Sequence, residues 1–308
     1  MILLIDADSL AYRNYFAHSE LLGSEGQYAG LVFGFVQSLK KVVEELVPGL
    51  ITFCWGDVRS RLWRRDVLPN YKAHRNSTPT DFSFQCDVLM DLLSAAGLPQ
   101  VKCPVFEADD IIAALTKQAL ELKKSVGILT SDHDMHQLVR DGEPFVKVFS
   151  PKSVGSGYQV LGETQIIEKW GVPPTALPQL FSIRGEKGDG IPGVPGVGKI
   201  RAKQYLLGEA SPTVREKINS HLELIRTNLK LIDLSFISIE DIGDSELPIL
   251  SQPMNTVAVM TALKRVGLLK KQSTLQSLKE TLGLYEAIRS QGAHSQLEIE
   301  EEFFGRRG

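Results

Sequence analysis

Cysteine is scarce in this 308-residue sequence. Cys54, Cys86 and Cys103 are odd in number and widely spaced, which excludes a disulfide framework and a zinc pattern and leaves three core thiols in a reducing compartment. Long apolar runs are missing too. None approaches the ~20 residues that a membrane helix needs, so no membrane association is expected. The opening MILLIDADSL is apolar, but it lacks a basic start and meets Asp6 and Asp8 at once, unlike a secretion signal. Excess positive charge is also absent: the net charge of −3 excludes simple electrostatic coating of nucleic acid. No internal repeat and no low-complexity block appears. At 43% hydrophobic and 23% charged, the chain reads as a soluble globular protein of one large or two modest domains.

What is present is a strand–helix alternation followed by helices. The runs 2–5 (ILLI), 50–55 (LITFCW) and 125–131 (SVGILTS) read as buried parallel strands. Between them, 28–47 carries Leu31, Phe35, Leu39, Val42, Val43 and Leu46 at helical spacing and closes at Pro48. Residues 81–97 run from an Asp cap to Gly97, EADDIIAALTKQALELKK follows as a further helix, and a short helix starts at Asp132. The expected fold is α/β, a parallel-sheet core with helices on both faces over 1–165. A mainly helical region is expected over 166–295, with helices at 163–170, 175–183, 199–207, 212–234 and 256–290, and then an acidic and aromatic tail over 296–308.

Acidic residues gather at strand ends and tight turns: Asp6; Asp57; Glu107, Asp109 and Asp110; Asp132 and Asp134; Glu186 and Asp189. Any one of these is ordinary, since helix N-termini favour acids. Their joint placement is not, because the C-terminal strand ends of a parallel sheet converge on one site. Crowded carboxylates raise one another's pKa and stay ionised together only when cations neutralise them. Oxygen donors without histidine or cysteine select Mg²⁺ or Mn²⁺, and His133 and His136 read as surface residues. Two such ions about 4 Å apart would clamp a phosphate, activate water and stabilise a leaving oxygen. No Ser/His/Asp arrangement offers a competing chemistry.

The segments LLIDADSLAYR, WGDVRSRLWRRDVLPNYKAHR, FEADDII, ILTSDHDMHQL and IRGEKGDGIPGVPGVGKIRAKQYL resemble, in order, the motifs of the 5′ nuclease family. That family includes the N-terminal domain of bacterial DNA polymerase I, bacteriophage exonucleases and cellular flap endonucleases, and the resemblance covers roughly residues 2–207. It implies a divalent-metal-dependent 5′–3′ exonuclease and flap endonuclease that hydrolyses DNA phosphodiesters with two Mg²⁺ (or Mn²⁺), in replication or primer removal. The nine acids above become the metal ligands. Arg13, Lys72 and Arg75 become the cations around the scissile phosphate, with Tyr71 beside them. The chain most resembles the free-standing bacteriophage type, which implies a monomer in the cytoplasm of a host. Glu186 departs from the family, which usually carries Asp there, so a weakened second metal site is expected.

Gly193-Val-Pro-Gly196-Val-Gly198-Lys199 also satisfies the start of a P-loop, so a nucleotide hydrolase is the rival reading. Ile200 stands where a P-loop needs Ser or Thr, and GEKGDGIP is not a strand. The alternative is a hairpin between two helices, the family's helix–three-turn–helix, with Lys199, Arg201 and Lys203 adding charge for duplex phosphates. The resemblance further implies K⁺ at that hairpin. A catalytically weakened DNA-binding accessory is a third reading, motivated by Glu186. In the tail, Gln296, Leu297, Ile299, Phe303 and Phe304 loosely match a peptide that docks a replisome protein.

Overall fold

The computed structural model describes residues 1–56, 62–74, 78–152, 157–242, 253–270 and 272–291. Asp57, Arg75 and the 296–308 tail, each assigned a part above, lie outside them. Strand β1 (Ile2–Asp6) is buried along its whole length, as a central parallel strand must be. Helices α1 (Ala7–Ala17) and α2 (Gly30–Leu46) lead to β2 (Leu50–Trp55). The short α3 (Arg64–Val67) and then α4 (Thr80–Ala95) precede β3 (Gln100–Lys102). Helix α5 (Ala108–Glu121) leads to β4 (Val126–Leu129), and β5 (Val146–Pro151) and β6 (Tyr158–Leu161) complete the sheet.

The six strands lie in the order β3-β2-β1-β4-β5-β6. All pairs are parallel except β5 with β6. The alternation of side chains along β1 assigns the two faces. Ile2 and Leu4 join a core with Ile111, Ile112 and Leu115 of α5, whereas Leu3 and Ile5 join one with Val32 and Phe35 of α2 and Leu89 of α4. The fold is therefore α/β as expected, with an antiparallel edge. Three strands escape a search for apolar runs because QVK, VKVFSP and YQVL are short or mixed with polar residues. Helix α1 escapes it because its apolar stripe is thin.

The second half is mainly helical. Helices α6 (Glu163–Trp170), α7 (Leu177–Arg184), α8 (Lys199–Leu206), α9 (Pro212–Asn219) and α10 (Leu222–Ile232) extend the core on the α5 side. Helices α11 (Thr256–Arg265) and α12 (Gln272–Gln291) instead return to the opposite face. There Val259, Leu263, Leu278 and Leu282 pack into the α2/α4 core, and the Ile51 N–H donates to the buried Tyr285 hydroxyl at 2.9 Å. Helices of the 166–295 region thus cover both faces of the sheet. The expected helix over 256–290 breaks at Gly267, where φ is +66°, and a β-carbon on Gly23 would meet Val266 O at 2.1 Å. That close backbone approach ties the helical return to the α1–α2 loop. No helix among the described residues is long and apolar enough to cross a membrane.

Candidate metal centre

The cleft forms where the parallel strands end. Asp6 is the last residue of β1 and the N-cap of α1, its Oδ1 accepting from the Ser9 N–H at 3.0 Å. Its other oxygen accepts from Thr130 Oγ1, just past β4, at 2.6 Å. Burial pushes its carboxyl up to about 6. Asp8, two residues on, accepts the Gly56 N–H at 2.7 Å and is pushed up to about 7 by burial and by the neighbouring Asp6 charge. Sequence reasoning leaves Asp8 out of the site. Its signal is visible as Asp-x-Asp at a strand end, but only the adjacency of β1 and β2 gives it a role.

Glu107, Asp109 and Asp110 open α5, and the fold gives them different tasks. Asp110 is fully buried and bound at both oxygens by Arg64, with Nη1–Oδ2 and Nη2–Oδ1 each 2.7 Å. It also accepts from Trp63 Nε1 and from the Glu107 N–H. The expected ligand Asp110 is thus the anchor of a buried ion pair, and removing one partner of such a pair costs about 3–5 kcal/mol. Arg64 also reaches Glu107 Oε2 at 3.0 Å and Leu231 O at 2.8 Å, joining α3, α5 and α10. Glu107 further accepts from the Tyr71 hydroxyl at 2.8 Å and from Lys72 Nζ. Burial pushes Glu107 up, but the Lys72 and Arg64 cations outweigh it and hold the carboxyl below its usual range. Asp109 faces the cleft and is raised well above a normal carboxylate by burial, then by Asp132 and Asp6.

Past β4, the Asp132 N–H donates to Thr130 Oγ1 and the Asp134 N–H to Asp132 Oδ1, both at 2.9 Å. This opens the 3₁₀ turn Asp134–Leu138. Asp134 is pushed up to about 7 by burial and by Asp132. Helix α7 ends at Gly185, with φ of +74°. Glu186 and Ile191 then exchange backbone hydrogen bonds at 3.0 Å, closing a loop over the turn Lys187–Asp189. The loop crosses itself so tightly that a β-carbon on Gly193 would meet Arg184 O at 2.1 Å. It docks through the Lys72 N–H, which donates to Asp189 O at 2.9 Å, and the Tyr71 hydroxyl, 3.3 Å from Asp189 Oδ2. Lys72 holds φ at +54° at this junction, a strained backbone of the kind found where function fixes geometry.

Asp109, Asp134, Glu186 and Asp189 line one cavity together with Arg64 and Tyr71. Acceptor atoms of Asp132, His133 and Asp134 lie within 4.8 Å of one another. Asp134 Oδ1 is buried without a hydrogen-bond partner. A buried lone pair of this kind is costly, and oxygen donors crowded around it fit a hard divalent cation. Glu186 is paired with Arg184, and His133 Nε2 lies 3.6 Å from its Oε1. Sequence reasoning gives no part to Arg184, which turns to Glu186 only through the reversal at Gly185, and reads His133 as a surface residue, because it meets Glu186 only once the chain is folded.

Other expectations shift as well. Arg13 is exposed and donates to Lys152 O at 3.0 Å. His136 is not a surface residue: it is 3% exposed, accepts from Trp170 Nε1 at 3.0 Å and is pushed down to about 3 by burial. The segment before Gly193 is a turn after a helix, not the strand that a P-loop requires. Gly198 caps the N-terminus of α8 in open space, and Gly196 takes φ of +72°. Lys199 Nζ donates to Lys169 O at 2.8 Å, Arg201 to Gly196 O at 2.7 Å, and the Lys203 stem packs against Gly171.

Residues 1–171 match the family described as 5′–3′ exonuclease, N-terminal resolvase-like domain. Thermostable DNA polymerase I of Thermus thermophilus is 34% identical over 243 residues, covering 75% of this chain and 28% of the polymerase. The Thermus aquaticus polymerase is 31% identical over 242 residues, with the same shares covered. The chain thus spans less than a third of the length of these relatives. In fold it is similar to the flap endonuclease of bacteriophage T5, solved with metal ions, at a TM-score of 0.61 and 18% identity over 92% of this chain and 98% of that one. Flap endonuclease-1 from Methanococcus jannaschii superposes at 0.57 with 14% identity, over 95% of this chain and 93% of the other.

Proposed function

Because this chain belongs to the 5′–3′ exonuclease family, we propose that it is a divalent-metal-dependent 5′ nuclease acting on DNA with a free 5′ end or a 5′ flap. The observation that carries this reading is the shared cavity of Asp109, Asp134, Glu186 and Asp189, with Asp134 Oδ1 buried without a hydrogen-bond partner and 3.6 Å from His133 Nε2. Asp6, Asp109, Asp132, Asp134 and Asp189 would hold Mg²⁺ or Mn²⁺, with Asp57 completing the set. When bound, such ions polarise a phosphodiester and lower the pKa of an attacking water. Glu107 contributes differently. It stays ionised between Lys72, Arg64 and Tyr71 and so fixes where the Lys72 ammonium stands.

Lys72 Nζ lies between Glu107 and Asp189, 3.7 Å from the latter, at the edge of the acid cavity. A compact, hydrated ammonium there can turn to a phosphate oxygen as a point charge. Its contribution grows as charge develops on the phosphate, so it acts on rate more than on binding. Water attack at phosphorus, with the 3′-oxygen as leaving group, would leave a 3′-hydroxyl on the released 5′ fragment and a 5′-phosphate on the remaining strand. Cleavage of 5′-labelled flap, nicked and blunt duplexes in Mg²⁺, resolved by length, tests the reading. No cleavage in Mg²⁺ or Mn²⁺ overturns it.

The second part of the proposal concerns grip. The open Gly196–Gly198 turn at the head of α8 offers backbone N–H groups to a duplex phosphate, and the family supplies the expectation of K⁺ at this hairpin. Lys199 and Arg201 already donate to protein carbonyls, so they brace the turn as well as charging it. Replacing Lys199, Arg201 and Lys203 together by Ala should weaken binding to duplexes of any sequence. The salt slope should fall by about one unit for each phosphate no longer neutralised; an unchanged slope places the grip elsewhere.

A further inference from the structure

The Glu186 side of the cleft carries a cation of its own. Arg184, the last residue of α7, pairs with Glu186 Oε1, and the side chain is only 20% exposed. It is no stray surface group. Its Cζ lies 4.5 Å from the Phe181 ring centroid and 5.1 Å from that of Trp170, and those two rings meet edge-on at 4.9 Å. Trp170 is anchored in turn by its hydrogen bond to the buried His136. Arg184 Nε is buried without a hydrogen-bond partner, so aromatic faces, rather than a full set of acceptors, set the guanidinium's place.

The chain reversal at Gly185 makes the juxtaposition. With φ of +74° and the Gly193 backbone packed against it, Gly185 places Arg184 beside Glu186, which lines the cavity. A carboxylate oxygen committed to a guanidinium must leave it before ligating a metal. A fixed positive charge a few ångströms away also repels an incoming divalent ion. Arginine cannot shed that charge by deprotonating.

We propose that Arg184 is a built-in counter-charge that holds Glu186 back from full metal ligation. The Asp132, Asp134, Glu186 and Asp189 half of the cleft is then the weaker of two divalent-cation sites. This inference rests on the metal-nuclease reading above. Arg184 is a positioning residue here, acting through Glu186.

Mn²⁺ binding to the full chain without DNA, followed by the electron paramagnetic resonance of the free ion, tests it apart from activity. The wild-type chain should bind one ion tightly and one weakly. Arg184→Met should tighten the weak ion by about ten-fold and leave the tight one unchanged, whereas Arg184→Lys, which keeps the charge, should stay near wild type. Glu186→Asp, which leaves the aromatic shelf intact and draws the carboxylate back from Arg184, should tighten the same ion. An unchanged or lost weak site in both Arg184→Met and Glu186→Asp overturns the counter-charge. So does an Arg184→Lys chain that binds as tightly as Arg184→Met. A wild-type chain that binds no Mn²⁺ at all instead overturns the metal-nuclease reading, and the inference falls with it.

Discussion

Asp6, Asp8, Glu107 and Asp109 stand at the ends of regular elements, whereas Asp132, Asp134, Glu186 and Asp189 stand on short turns. The first group is placed by sheet register and helix caps: Asp6 ends β1 and Glu107 precedes the first turn of α5. The second depends on a 3₁₀ turn after β4 and on a glycine loop that docks onto Tyr71 and Lys72. In each half, one carboxylate is committed to protein cations: Glu107 to Lys72 and Arg64, Glu186 to Arg184. Buried neighbours such as Asp109 and Asp134 are raised toward protonation. The same charge logic is thus executed by rigid elements on one side and by turns on the other. The turn side is the one that small changes in packing can retune.

Removing one raised acid from each half puts that comparison to its largest test. Asp109→Asn and Asp134→Asn should each lower single-turnover cleavage by about 10³-fold, with duplex binding kept or tightened as repulsion of phosphate is relieved. Near-normal turnover in either variant removes that half from the chemistry. Stability should separate the halves more sharply. Arg64→Met strands the buried Asp110 and should lower the unfolding free energy by about 3–5 kcal/mol. Arg184→Met breaks a pair whose side chains are 20% and 14% exposed and whose carboxylate faces the cleft, so it should cost less than Arg64→Met. Urea unfolding of the two variants measures the gap, and equal losses would mean that the turn side is as rigidly built as the strand side.

Lys72 bridges the halves, since it touches both Glu107 and Asp189. Lys72→Ala should reduce the single-turnover rate by about 10²-fold while duplex affinity changes far less. If affinity falls and the bound-state rate holds, Lys72 is only a tether.

The smallest effect expected is on pH-dependent stability of the metal-free chain. Asp6, pushed up to about 6, and Asp8 and Asp134, pushed up to about 7, keep protons in the folded chain where the unfolded chain has lost them. Their contribution is full below about pH 4 and is lost as pH rises through about 6 to 7. Glu107, held low by Lys72 and Arg64, works in the opposite sense: it stabilises above its unfolded value and loses that contribution as pH falls. Asp109 is raised by burial in the same sense, so four raised acids in the cleft outnumber the lowered Glu107. Mg²⁺ should therefore raise Tm by a few degrees more at about pH 8 than at about pH 5. A metal effect independent of pH would mean that these raised acids do not face bound cations.

Parts of this are readable before folding. The strands ILLI and LITFCW show as apolar runs, and Asp6 follows from the strand it ends. Asp109 and Asp110 are indistinguishable in EADDII, yet successive positions on a helix point in different directions, and only the Arg64 guanidinium, 46 residues away, decides that Asp110 faces inward. Asp8 escapes a sequence reading because its partner, the Gly56 N–H, lies across the β1–β2 pair. His136 reads as a surface residue because a His-x-x-His pattern says nothing of Trp170, 34 residues on, which covers it.

The sequence by itself determined the element types, the central strands of the sheet and the supply of carboxylates at their ends. These depend on side-chain periodicity and on caps, which act within a few residues of chain. The tertiary structure alone decided which acids face the cleft and which are committed to arginines. It also decided that α11 and α12 close the far face of the sheet. Those outcomes depend on burial and on charges meeting across tens to hundreds of residues, as Ile51 meets Tyr285. A pairing of that range leaves no period in the sequence, because the partner's distance along the chain is set by topology rather than by the repeat of a helix or strand.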